Sequence, residues 1–131
     1  MQFLSVILAA IGGFALGAVW YMVLAEPWMQ AAGIRRGPDG RPEGGASPRI
    51  FVISFLLQLL VAGMMRHVFA LAGIDSAGKG LVAGLGIGLF FIAPWIALNN
   101  LYGDRPAKLS AIDGGYAAAA CAVMGLILAL F

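Results

Sequence analysis

The chain has 131 residues, 62% of them hydrophobic and only 11% charged, where a soluble domain carries roughly a quarter charged. That shortfall, with a mean hydropathy of +0.95, excludes an ordinary soluble domain and predicts an all-α polytopic membrane protein, a bundle of four transmembrane helices. The formal charge of +2 comes mainly from loop arginines, and in such a chain it reports orientation, not nucleic-acid binding.

The first span is predicted over about 3–24, roughly 33 Å of helix and long enough to cross. Gly13 and Gly17 form a small-xxx-small pair, and Trp20, Tyr21 and Trp28 fall where interfacial rings are expected. No Lys or Arg precedes the apolar run, which argues against a cleaved signal peptide. Glu26-Pro27-Trp28 is read as the stop, opening a polar loop over about 26–49 that is rich in Gly and Pro. Ser47-Pro48 is read as an N-cap followed by a first-turn proline.

The second span is predicted over about 50–72. Gln58 lies mid-span as an interhelical hydrogen-bonding group, and Arg66 and His67 lie near the far interface, where the arginine can snorkel. The third span, about 80–101, carries Gly80, Gly84 and Gly88 on one face, and the others are expected to pack around it. Pro94 invites a bend there, Trp95 is expected at an interface, and Asn99, Asn100 and Tyr102 close the span. The fourth span, about 109–131, is alanine-rich, with Ala118, Ala122 and Gly125 on or near one small face. The lone Cys121 reads as a small packing residue. All of this makes one membrane domain, with no room for a soluble one.

Arg35, Arg36, Arg41, Arg49, Arg105 and Lys108 fall on the side of the first and third connections, against Arg66 and Lys79 on the other. That bias predicts both termini outside. Spans one and three then run in the same direction. Gly13, Gly17, Pro27 and Trp28 align with Gly80, Gly84, Pro94 and Trp95 at a constant offset, by a parallel repeat or by chance.

Gly73 to Gly80 (GIDSAGKG) imitates a phosphate-binding loop, but Gly80 stands where a Ser or Thr must hold magnesium, and no strand precedes it. One His and one Cys cannot assemble a metal site, and Ser5, Ser54 and Ser110 have no histidine partner in evidence. Neither metal, cofactor nor enzymatic activity is therefore expected. Asp113 is the most informative acid, one helical turn from Tyr116. Two readings of it stand side by side: a functional carboxylate within the span, or a shallow group that pairs with Arg105 or Lys108 and locks the helix start. With Glu26, Asn99, Asn100, Tyr102 and Tyr116 it would line a cytoplasm-facing polar vestibule. The alternative is an aromatic belt with helix caps.

GAVWYMVLAEPWMQAAG, a glycine-rich third span and NNLYGDRPAKLSAIDGGYAAAACAVMGLIL together resemble the bacterial domain-of-unknown-function family 1761. The most specific stretches are the WY…W segment (Trp20, Tyr21, Trp28) and LSAIDGGY (Asp113, Gly115, Tyr116). The resemblance implies a four-span fold and a bacterial inner membrane, and no particular activity, substrate or cofactor. In that pattern a His often follows the Tyr; Ala117 stands here, which weakens an Asp-Tyr-His proton relay. Two functions follow from the residues. One is an assembling or accessory subunit, in a homo-oligomer or with other membrane-protein subunits, using the small-residue faces. The other is a small-solute or proton carrier or channel built on the vestibule.

Overall fold

Four helical stretches carry enough apolar length to cross a bilayer: Phe3–Val23, Pro48–Ala72, Ala77–Tyr102 and Ala107–Leu130. The structure is a computed structural model and describes residues 2–35, 37–38 and 48–131. Arg36, Arg41 and the expected cap Ser47 lie outside the described residues.

Helix α1 (Gln2–Val23) is followed after Leu24 by α2 (Ala25–Ala32). The expected stop at Pro27 is thus corrected. Pro27 sits in the first turn of α2, where its missing N–H would have had no helical partner within α2. Helical structure ends instead at Gly33, whose φ of 69° suits a residue without a Cβ, so the loop starts later than about 26. Helix α3 (Pro48–Ala72) forms the second span, closed by Gly73 at φ 71°. Ser76 then caps α4 (Ala77–Ile87) by accepting the Lys79 N–H at 3.4 Å, so GIDSAGKG is a helix-starting turn.

The third span changes winding midway. Gly88–Ile92 is a π-helical turn, and α5 (Ala93–Tyr102) follows. Pro94 has no N–H to return to the preceding turn, and the Ala93 N–H reaches back five residues to the Gly88 carbonyl. The wider turn keeps one small-residue stripe in register. Gly80 faces Gly125 and Ala129, Gly84 faces Cys121, Gly88 faces Ala117 and Ala118, and Ala93 faces Gly114. The step is four residues up to Gly88 and five from Gly88 to Ala93, the extra residue being absorbed by the π turn.

The stripe packs antiparallel on α6 (Ala107–Leu130), and α6, not the third span, is the element the rest surrounds. Its most apolar window is 44% buried, against 11% for the third span. Helix α1 packs along another side of α6, again antiparallel: Gly12 meets Val123 and Ile127, and Gly17 meets Tyr116. Helix α3 packs on α1 through Phe14, Phe51 and Phe55, and touches α6 more sparingly. The core beneath them joins Ala9, Ala10, Ala62, Met65, Phe69, Cys121, Met124 and Leu128, and Cys121 is the small packing residue expected.

Arg66 turns inward instead of snorkelling. Its guanidinium donates to the Leu128 carbonyl at 2.7 Å, one of the last four carbonyls of α6, which have no intrahelical partner. A cation there also complements the negative end of the helix dipole. Arg66→Met is expected to cost about 1 kcal/mol and to speed amide hydrogen exchange in the last turn of α6. Exchange mass spectrometry on the purified protein reads both. His67 beside it is exposed.

Candidate functional site

Asp113 stands six residues into α6, about 9 Å along the helix from its start. Its Oδ1 accepts the hydroxyl of Tyr21 at 2.7 Å. The pairing with Arg105 or Lys108 is not formed; Arg105 instead donates to the Ala32 carbonyl at 3.5 Å, tying the third connection to the end of α2. One turn deeper the Tyr116 hydroxyl donates to the Gly13 carbonyl at 2.7 Å and accepts from Gln58 Nε2 at 3.0 Å. Three spans thus meet at one phenol, and Gln58 makes the interhelical bond expected of it.

Glycine makes this meeting possible. A Cβ on Gly17 would stand 2.6 Å from the Tyr116 hydroxyl, and one on Gly13 would stand 2.6 Å from Gln58 Oε1. Gln58 Oε1 is buried with no hydrogen-bond partner, and it occupies the space a side chain at Gly13 would need. Gly115 likewise leaves room for the Trp20 ring, whose Nε1 donates to the Ile112 carbonyl at 3.0 Å. The Tyr21 ring meets Tyr116 at 5.3 Å and Trp28 at 5.7 Å, both edge to face. Trp20, Tyr21 and Trp28, expected at the interface, therefore form an inward aromatic cluster around the carboxylate.

Two cavities flank the cluster. A groove of about 230 Å³ is walled by α3, α5 and α6, running from Asp113 and Tyr116 past Ile92 and Ile96 to Cys121 and Met124. A larger cavity of about 570 Å³ lies between α1 and α3, from Met22, Ile50 and Phe51 inward past Ser54 to Gln58 and Tyr116. Tyr21, Gln58 and Tyr116 line both, so these three side chains are the partition between them.

The other expected vestibule residues sit elsewhere. Asn99 and Tyr102 are exposed, and Glu26 is exposed in the first turn of α2. Asn100 donates to the Ser110 hydroxyl at 3.0 Å, and the Asn99 and Asn100 carbonyls accept N–H groups from the turn before α6. These residues close the α5–α6 hairpin and line neither cavity. Trp95 is 66% exposed on the outer face of α5.

Gly80, Gly84, Gly88, Ala118 and Gly125 are occupied in the α4–α6 contact, and Gly13 and Gly17 by Gln58, Met124 and Tyr116. Ala122 is half-buried on α6. These glycine positions are used for packing inside the chain. Among the described residues, no three His, Cys, Asp or Glu side chains converge as metal ligands. Sequence reasoning missed Ser54 and Cys121 as cavity-lining residues; isolated small residues in apolar runs carry no signal for it.

The family described as "Protein of unknown function (DUF1761)" matches residues 4–129, nearly the whole chain, and the chain belongs to it. No curated protein and no solved structure matches.

Proposed function

We propose that this member of the DUF1761 family is a small-solute or proton carrier, working without catalysis, that holds its cargo at the Tyr21–Asp113–Gln58–Tyr116 cluster. The supporting observation is the partition: Tyr21, Gln58 and Tyr116 stand hydrogen-bonded within the spans between two cavities, with Asp113 bonded to Tyr21 on the smaller cavity's side. Polar groups at that depth are costly and mark solute or proton paths by default. The larger cavity extends toward the end of α1 and the start of α3, the side of the arginine-bearing first loop. We place that side in the cytoplasm of a bacterial inner membrane, with both termini outside. An assembling or accessory role loses the glycine faces that favoured it. Native mass spectrometry is expected to find the chain alone or with copies of itself, and a stoichiometric second protein would favour the accessory role.

Cysteine labelling tests the vestibule directly. In a Cys121→Ser background, Ser54→Cys is expected to react with a membrane-impermeant maleimide, because that thiol would sit in a water-filled cavity. Leu57→Cys, 58% exposed but facing lipid, is expected to stay unlabelled. Gly37→Cys in the first loop is the positive control, and it should react in whole cells only after permeabilisation if that loop is cytoplasmic. An unlabelled Ser54→Cys beside a labelled Gly37→Cys would end the vestibule reading.

A further inference from the structure

We propose that the groove between α3, α5 and α6 binds amphiphilic organic cations, with a substituted-ammonium head at Asp113 and an apolar body lying toward Met124. The proposal rests on reading the polar cluster as a ligand site, and it names the class of ligand.

Three observations converge. First, among the described residues Asp113 is the one charged group lining the groove, and its hydrogen bond is to the neutral hydroxyl of Tyr21. Among the described residues no Lys or Arg lines the groove, and none is paired with the carboxylate. Second, aromatic side chains stand at the carboxylate's end of the groove. Tyr21 and Tyr116 line the groove beside it, and Trp20 and Trp28 pack behind them at 6.4 Å from Tyr116 and 5.7 Å from Tyr21. Aromatic faces attract cations through the ring quadrupole, most strongly where water is excluded, and quaternary ammonium groups are the ligands such clusters take.

Third, the groove is graded. Along α6 its lining passes from Asp113 and Tyr116 to Ala117, Ala120, Cys121 and Met124, roughly 16 Å of helix. Val61, Ile92 and Ile96 face this deeper part from α3 and the third span. An inorganic cation would need several oxygen ligands, and the apolar half of the groove offers none. An anion would meet Asp113, and a neutral solute would leave the carboxylate uncompensated. A cation with a short apolar body matches both ends.

The test uses the full chain in nanodiscs, with hexyltrimethylammonium as probe and empty nanodiscs as blank, followed by tryptophan fluorescence and calorimetry. Saturable binding is expected for the wild type, and hexanol and hexanoate are expected not to saturate. Asp113→Asn keeps the shape and an acceptor for Tyr21, and it is expected to weaken binding by roughly tenfold or more, a charge-assisted contact being lost. Ile96→Trp, which fills the groove from α5, is expected to weaken binding with Asp113 intact. Circular dichroism and the thermal midpoint show whether each variant is folded.

Equal binding of hexanol, or unchanged binding by a folded Asp113→Asn, would overturn the cation assignment. Loss with Asp113→Asn and none with Ile96→Trp would overturn the groove as the place. Absence of wild-type binding while Ser54→Cys still labels would overturn this inference and leave the vestibule standing. Loss of both would remove the carrier reading itself.

Discussion

Gly84→Ala is expected to destabilise the protein by about 3 kcal/mol or more, while Gly86→Ala, two residues along the same helix, stabilises it slightly. A single methyl decides the difference. A Cβ on Gly84 would press into the backbone carbonyl of Cys121, with the Gly125 Cα at 3.1 Å, so a neighbouring helix would have to move as a whole. A Cβ on Gly86 meets nothing within 4 Å, and alanine there gains up to about 1 kcal/mol of helix propensity. Unfolding midpoints in one mild detergent read both signs. Because lipid is as apolar as the side chains, α4 and α6 are held by close packing, and separating them forfeits the contact. If the two variants shift the midpoint alike, the antiparallel register of Gly80, Gly84 and Gly88 against Gly125, Cys121 and Ala118 is wrong.

That register also shows where sequence reading succeeds and stops. The four spans were legible because lipid demands about 20 apolar residues and internally satisfied backbone. The glycine stripe was legible from its spacing. The centre of the fold was not, since hydropathy measures fitness for lipid and says little about burial when lipid is the solvent. Helix α6 has the lower hydropathy, 1.7 against 2.2 for the third span, and is the most buried of the four. Its alanines and glycines admit neighbours on two sides, which a search for apolar bulk overlooks. Trp20 and Tyr21 were legible as aromatic and illegible as inward, because their direction depends on space left by Gly17 and Gly115 on two different helices. Pro27 and Pro94 gave the same local signal with two outcomes: one opens α2, the other follows a π turn. Of the expected vestibule residues, Asp113 and Tyr116 line one groove, whereas Asn99, Asn100 and Tyr102 line neither cavity.

Tyr116→Phe is expected to cost about 2 kcal/mol, and Gln58→Leu is expected to restore most of it. The phenylalanine ring keeps the contacts with Gly17, Trp20 and Tyr21, so the loss is confined to the hydroxyl. The Gly13 carbonyl gives up one donor but can still accept a bond within its own helix. The Gln58 amide fares worse. Its Oε1 has no hydrogen-bond partner already, and without Tyr116 its Nε2 loses the one partner seen for it. An unsatisfied amide at that depth dominates the cost, and it disappears when a leucine of similar shape replaces it. Gln58→Leu alone should lie within about 0.5 kcal/mol of wild type, since the Tyr116 hydroxyl keeps its bond to Gly13. Interhelical hydrogen bonds inside membranes average only about 0.6 kcal/mol in double-mutant cycles, so a strong rescue would identify the buried amide, and not the bond it makes, as the origin of the effect. The same double variant leaves Tyr21 as the one polar side chain of the partition, so it should also slow solute passage while the fold survives. A double variant that stays as unstable as Tyr116→Phe alone would place the cost elsewhere, on the Gly13 carbonyl.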